Sequence, residues 1–378
     1  MVQLSWGGAL AQSKLKRIYL NEIESITSLG WIAIASGIIV CSSLEEIEAN
    51  ANDQSLHHVN ANDGSLFDNV AVVLANALIV NPSLEHLDLS LNSIGDTGAL
   101  AIARGLVKNT TLKSLDLGGN ESISSAGWRT FFRTLRNSSS SLEKLSLGST
   151  NLDDEGLLQI IVTLGSSLKY LSLLRNRQLT IVGFRALATL IQRPNPCLET
   201  LYITPSDTIL DEVIITFAAA LVNNNTLITL LLDLLSPTQH LLSTKAFQRG
   251  WTALTNVLCN KSTLESICDS NHTLREVALC TGNVPDQLSP YLDLNKNEDK
   301  TEVIRQKIIK YHFLNGEENI QDFVDMELNE LPQAISWLGR NDVGFSLLYK
   351  LCRSVPTLFD SESKTKAAEG RKRTAAGL

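Results

Sequence analysis

Residues 84–94 read LEHLDLSLNSI, and variants of this stretch recur along the middle of the chain. Clear copies follow one another at steps of 26 to 30 residues, and such a period is typical of a solenoid in which each copy is one structural unit. Degenerate copies flank them at Leu15, Leu44 and Leu264. The clear copies begin at Leu84, Leu112 (LKSLDLGGNESI), Leu142 (LEKLSLGSTNL), Leu168 (LKYLSLLRNRQL), Leu198 (LETLYITPSDTIL) and, more weakly, Leu227 (LITLLLDLL).

Each unit combines a strand with a helix. Leucines alternate in L-x-x-L-x-L, as at Leu87 and Leu89, and this period of two predicts a short strand with one buried face. Residues 95–109 (GDTGALAIARGLVKN) then carry apolar side chains at helical spacing, which predicts an amphipathic helix. Its apolar positions are Ala99, Ile102, Ala103 and Leu106.

Polar and small residues also recur at fixed places in the units. Amide side chains after the strands are predicted to bond free backbone groups between neighbouring turns and so to form a ladder. Glycines near the helix starts are predicted to allow a tight bend. The amides are Asn92, Asn120 and Asn176, and the glycines are Gly98, Gly127 and Gly183.

The dimensions of strand and helix predict the overall shape. Parallel strands stack about 4.8 Å apart, whereas helices with side chains need about 10 Å, so the strand side is the shorter, inner arc. We therefore predict an α/β horseshoe with a parallel inner sheet and outer helices. The units resemble leucine-rich repeats of the ribonuclease-inhibitor type, which are also found in NOD-like receptors and Ran GTPase-activating proteins. This resemblance covers about residues 13 to 280 and says little about the partner.

Three regions are expected along the chain. Residues 1–280 are predicted to form the solenoid of about 8–9 repeats, and residues 281–360 a helical module that caps its open end, after an irregular connection over residues 280–300. Residues 361–378 are polar and basic and are expected to be a disordered tail. The C-terminal part resembles the tail of uncharacterised leucine-rich-repeat proteins of diatoms and related algae. Core candidates of the cap are Phe323, Trp337, Leu338, Leu347 and Leu351.

Two units are longer than the rest. The step from Leu44 to Leu84 is 40 residues and the step from Leu227 to Leu264 is 37. Insertions of this kind form loops on one rim of a solenoid. These two loops either contact a partner or are insertions acquired by sequence drift without a function.

The chain carries no motif that predicts catalysis or cofactor binding. Phosphate-loop, dinucleotide-binding, zinc-protease and serine-hydrolase motifs are all missing from the sequence. Residues 293–299 (DLNKNED) resemble a calcium loop only superficially, because Glu298 stands where the tight turn needs glycine. His57 and His58 lie in a polar insertion, where adjacent histidines are usually only solvated. We therefore expect no enzyme activity, no metal and no cofactor.

Bulk properties restrict the class of partner and the compartment. The net charge of −8 makes nucleic acid an unlikely partner, and the longest apolar run, residues 31–41, is too short to cross a bilayer. The N-terminus shows no signal peptide, and six scattered cysteines read as reduced thiols, so the cytoplasm is expected. The basic residues of the tail leave a weak nuclear-import signal open. No small-molecule substrate is indicated.

The inner face should carry the partner site. Asp88 and Asp116 are expected on adjacent strands as an acidic edge that selects basic groups. Tyr170, Leu174, Tyr202 and Leu231 are expected to form an exposed apolar cluster that anchors a protein partner, since tyrosine is favoured in binding hot spots. The alternative is that an inserted loop or the cap covers Tyr202 and Leu231.

A non-enzymatic interaction scaffold is the predicted function, and two alternatives stay open. Ran GTPase-activating proteins share the repeat, and that resemblance implies a catalytic arginine near the start of the array, for which Arg17 and Arg104 are nominal candidates. They also carry a strongly acidic tail, whereas the tail of this chain is basic. The second alternative is a substrate-recognition subunit of a ubiquitin ligase, although no F-box is visible.

Overall fold

The computed structural model describes residues 13–19, 28–41, 43–48, 65–136, 138, 141–164, 166–193, 196–233, 248–279 and 286–313. Nine strands within these ranges form one parallel sheet whose spatial order follows the chain. The predicted α/β horseshoe is confirmed. The strands are β1 (Arg17–Tyr19), β2 (Glu46–Glu48), β3 (His86–Asp88), β4 (Ser114–Asp116), β5 (Lys144–Ser146), β6 (Tyr170–Leu173), β7 (Thr200–Ile203), β8 (Thr229–Leu232) and β9 (Glu276–Leu279).

Helices alternate with these strands along the chain and pack on their neighbours in order. They are α1 (Ser28–Val40), α2 (Ser65–Val80), α3 (Asp96–Lys108), α4 (Ser125–Leu135), α5 (Asp154–Leu164), α6 (Ile181–Ile191), α7 (Leu210–Leu221), α8 (Gln248–Leu258), α9 (Leu264–Cys268), α10 (Ser289–Asn295) and α11 (Lys300–Lys307). A π-helical turn, Ile308–Phe313, continues α11.

The core lies between the sheet and the helices, as the two periodicities predict. Leu87 and Leu89 are buried on the helix side of β3, and so are the equivalent leucines of the following units. The apolar positions predicted for α3, such as Ile102 and Leu106, are also buried. Aromatic residues concentrate in α4, where Trp128 packs on Phe131 and Phe132 and donates its indole N–H to the Thr150 carbonyl at 2.6 Å.

The ladder predicted after the strands is present. Asn120 donates from Nδ2 to the carbonyls of Leu89 and Leu117, both at 2.9 Å, and so joins two consecutive units. Asn176 joins the next pair of units in the same way, with Thr150 between them as a hydroxyl rung. Asn92, in the preceding unit, donates to the carbonyls of Leu89 and Ser90 in its own turn.

A second amide ladder runs along the opposite edge of the sheet, where the chain enters each strand. Asn109 donates to the Leu78 carbonyl of the preceding unit and accepts from the amides of Thr111 and Leu112. Equivalent bonds are made by Asn81, Asn224 and Asn271. This ladder was not predicted from the sequence, although its asparagines stand in a recurring N-x-S/T-L pattern.

The reason given for the recurring glycines was wrong. Gly98, Gly127 and Gly183 lie inside helices rather than at a bend. They are required because the helix approaches an aspartate of the preceding unit: a Cβ on Gly98 would lie 2.5 Å from Oδ1 of Asp68. That carboxylate accepts the Gly95 and Gly98 amides at 2.8 and 3.0 Å and so satisfies two free donors at the helix start.

The last repeat was predicted to begin at Leu264, and this prediction was wrong. Residues Leu264–Cys268 form α9, whose N-cap is Thr263, and the ninth strand belongs to the copy LREVAL at Leu274. The stretch LREVAL has apolar residues at all three leucine positions of the motif. In LESICDS, Asp269 occupies the third of these positions. The step from Leu227 is therefore 47 residues.

The C-terminal side of the solenoid begins with helices α10 and α11. The expectation of an irregular connection over residues 280–300 was wrong in part, since α10 lies within it. Asn295 at the end of α10 donates to the carbonyls of Asn271 and Leu274, and it thereby continues the second ladder by one rung. The core candidates of the cap, the tail and most of both insertions lie outside the described residues.

Candidate functional site

The inner face of the sheet presents side chains in rows, because the parallel register is continuous from strand to strand. One row joins Asp88, Asp116, Ser146, Ser172, Tyr202 and Leu231. The neighbouring row joins His86, Ser114, Lys144, Tyr170, Thr200 and Thr229. The register therefore confirms that Asp88 is beside Asp116, and Tyr202 beside Leu231.

Two tyrosines meet on this face. The rings of Tyr170 and Tyr202 lie 5.3 Å apart with an interplanar angle of 72°, an edge-to-face arrangement that aromatic pairs favour. Burial raises the pKa of the Tyr170 hydroxyl, and the nearby Tyr202 adds to the rise. Leu231 adjoins Tyr202 on the next strand, and Leu174 directly follows β6. All four side chains are half-buried, so part of each is open to contact.

The acidic edge is present as predicted. Asp88 and Asp116 are half-buried, and each uses Oδ1 to accept the backbone amide two residues further on, at 2.8 Å. Burial raises the pKa of Asp116, while the Gly118 amide opposes that shift and the Asp88 charge reinforces it. These contacts fix the orientation of both carboxylates.

Glu48 is a further member of this edge that was not predicted from the sequence. It pairs by register with Asp88, so three carboxylates occupy one row on β2, β3 and β4. The degenerate copy LEEIEA at Leu44 contained the signal, because Glu48 stands at the position of Asp88 in the motif.

Thr204 and Asp233 directly follow β7 and β8, as Leu174 follows β6, but they do not share its exposure. Both are buried at 5 % exposure. The Thr204 hydroxyl donates to Asp233 at 3.3 Å and accepts the Arg175 amide at 2.9 Å. The Arg175 guanidinium lies 3.5 Å from the same Asp233 carboxylate. These residues join three units at the ends of their strands. Thr204 and Asp233 take no part in the open surface, whereas the Arg175 side chain is 70 % exposed.

Ion pairs line the edge of the sheet beside the rows. Lys16 pairs with Glu45, Lys113 with Glu85, and Lys169 with Glu143, each at 2.8 Å between consecutive strands. All six side chains are well exposed, so solvent screens the attraction and the pairs add little to the stability of the sheet.

The residues considered for chemistry have other positions. Arg17 pairs with Glu46 at 2.9 Å on the sheet, whereas Arg104 is exposed on the outer helix α3. Asp299 caps α11 and Asp293 pairs with Lys296, which gives the calcium-like stretch a structural role. His57 and His58 lie outside the described residues. Where the structure is described, no cluster of three His, Cys, Asp or Glu side chains is placed to hold a metal ion.

Two further properties concern the whole described chain. Its helices include none with the length and apolar character needed to span a membrane. Cys41 and Cys259 are buried thiols that form no disulfide with a described residue.

The comparison with known proteins agrees with the fold. An α/β horseshoe whose strands carry L-x-x-L-x-L defines the class of leucine-rich-repeat solenoids. The family model described as Leucine Rich repeat matches residues 80–103, 108–131 and 138–160. No curated protein matches the chain. Leucine-rich repeats are general modules of protein–protein interaction, and such a solenoid is typically a binding scaffold without enzymatic activity.

Proposed function

We propose that this chain is a non-enzymatic, cytoplasmic interaction scaffold of the ribonuclease-inhibitor-like type, which holds a protein partner on its inner face. One observation carries the proposal: Tyr170 and Tyr202 stack edge-to-face on neighbouring strands and remain partly exposed. Large aromatic side chains on a rigid backbone lose little conformational entropy on binding and are the usual hot spots of an interface.

Leu174 and Leu231 extend the anchor, and Asp88 and Asp116 supply the charge that selects basic groups. Residues 281–360 serve as the cap and residues 361–378 as a solvated tail in this account. No contact among the described residues favours a GTPase regulator or a ubiquitin-ligase subunit.

The test compares two matched double variants in a binding assay. A partner is captured on the full chain, purified and titrated against the wild type by calorimetry. Tyr170→Ala/Tyr202→Ala removes the anchor, and we expect the affinity to fall at least thirtyfold, since a hot-spot residue contributes about 2 kcal/mol or more. Val162→Ala/Val182→Ala removes two valines that are 56 % exposed on the outer helices and should leave the affinity unchanged. Equal affinity of the tyrosine variant and the wild type contradicts the proposal.

A further inference from the structure

The row that contains Glu48, Asp88, Asp116, Tyr202 and Leu231 changes in character along the solenoid. We infer that the partner presents one extended segment with basic side chains at one end and an apolar or aromatic side chain at the other, and that this segment crosses the strands from β2 to β8. The inference rests on the proposed function and adds the chemistry, the direction and the spacing of the bound segment.

The acidic end favours a cationic ligand. Glu48, Asp88 and Asp116 occupy neighbouring strands in register, about 4.8 Å apart, so their like charges repel one another. A lysine or arginine side chain placed between two of these carboxylates turns that repulsion into attraction. The carboxylates are half-buried rather than fully solvated, which strengthens the interaction with a cation.

The middle of the inner face carries only small side chains in this row, so the bound segment can lie close to the sheet there. Ser146 and Ser172 follow Asp116 in the row, and Gly118 and Gly148 stand at the adjacent strand ends. None of these residues projects a bulky side chain. Exposed Lys144 flanks the path on β5 and repels cations, so it confines the basic side chains of the partner to the β2–β4 side.

The apolar end closes the path. Tyr202 and Leu231 are neighbours in the row, and Tyr170 packs on the side of Tyr202. An apolar side chain that inserts here removes the exposed parts of these residues from water.

The strand spacing sets the length of the segment. Asp116 and Tyr202 are three strands apart, about 14 Å, and Glu48 and Leu231 are six strands apart, about 29 Å. An extended peptide covers about 3.3 Å per residue, so about four residues separate the nearest basic group from the anchor, and about nine residues span the whole row.

A series of labelled synthetic peptides tests the inference on the full chain. Each peptide has two lysines, a spacer of zero to ten alternating serine and alanine residues, and a Leu-Phe end, and fluorescence anisotropy reports its affinity. We expect the tightest binding with a spacer of about four to six residues. Asp88→Asn/Asp116→Asn should weaken that peptide about tenfold and reduce the dependence of its binding on salt. The control Glu85→Gln/Glu143→Gln removes the same charge from the exposed rim and should leave binding unchanged.

Two outcomes overturn the inference. One is an affinity that does not depend on the spacer, including no binding of any peptide. The other is a loss of peptide affinity that is equal in Asp88→Asn/Asp116→Asn and in the control Glu85→Gln/Glu143→Gln, or no loss of affinity in either variant.

The natural partner separates this inference from the proposed function. If that partner needs Tyr170 and Tyr202 but binds Asp88→Asn/Asp116→Asn as it binds the wild type, the inference fails and the proposed function stands. If the tyrosine variant also binds as the wild type does, both fail.

Discussion

Lys307 is a buried cation where α11 meets the last solenoid unit, and it makes the stability of this junction depend on pH. Its side chain is fully buried. Nζ lies 2.6 Å from the Leu258 carbonyl, 3.1 Å from the Asn271 carbonyl and 3.0 Å from Nδ1 of His272. Burial, with a smaller contribution from the Lys300 charge, lowers the pKa of Lys307 to about 7, although Cys259 opposes the shift.

The direction of the effect follows from proton linkage. The pKa of Lys307 is 10.5 in the absence of the fold, so between about pH 7 and 10.5 the unfolded chain holds a proton that the folded chain lacks. The free energy of unfolding therefore rises with pH in this window, by up to about 1.4 kcal/mol per pH unit. From pH 7 to pH 9 the gain is about 2 kcal/mol. Burial and the Lys307 charge lower the pKa of His272 to about 4, so the imidazole stays neutral throughout.

Lys307→Met keeps most of the side-chain volume and removes the titrating group. We expect its free energy of unfolding to lack this rise, so that the wild type gains about 2 kcal/mol of stability relative to the variant between pH 7 and pH 9. The variant also loses the hydrogen bonds to the Leu258 and Asn271 carbonyls, and each loss lowers its free energy of unfolding by about 1 kcal/mol at every pH. Urea unfolding at pH 6, 7, 8 and 9 measures the difference, and fluorescence of the buried Trp251 in α8 follows the last units.

Lys113→Met is the matched control, because Lys113 is exposed and pairs with Glu85 on the rim. Its stability should follow the wild type at every pH. Parallel pH profiles for the wild type and Lys307→Met refute the linkage argument.

Three further substitutions test the packing of the repeats. Leu91 has φ 56°, a left-handed conformation that strains a residue with a Cβ. Leu91→Gly should therefore raise the free energy of unfolding by about 1 kcal/mol in thermal melts, and a destabilised variant contradicts the strain. Asn109→Leu removes the bond to the Leu78 carbonyl and two to backbone amides, and urea unfolding should show a loss of about 2–4 kcal/mol rather than none. Gly105→Ala places a Cβ 2.7 Å from the Ala75 carbonyl oxygen, so a loss of about 1–2 kcal/mol should outweigh the gain in helix propensity, and a rise in the melting temperature contradicts the close packing.

Periodicity made the sheet predictable, and the exceptions have physical causes. The alternation of leucines located the first eight strands because each buried position repeats in every unit. It failed at Leu264, where a short apolar stretch with a good N-cap forms a helix, since two apolar positions fit a helix as well as a strand.

The candidate site was predictable in its rows but not in its burial. A period of two assigns Asp88 and Tyr202 to the inner face from sequence alone. It does not reveal that Thr204 and Asp233 are buried, because at strand ends neighbouring units close over one another. The N-x-S/T-L ladder was overlooked for a related reason: hydrogen bonds between units leave no periodic apolar signal.

Site-specific crosslinking tests most directly whether the inner strands bind the partner. A photoreactive benzoylphenylalanine replaces Tyr202 on β7 in one protein and Val182 on the outer helix α6 in another, and each is irradiated with the captured partner. The account predicts a crosslinked adduct from position 202 and little from position 182. An adduct from position 182 without one from position 202 contradicts it.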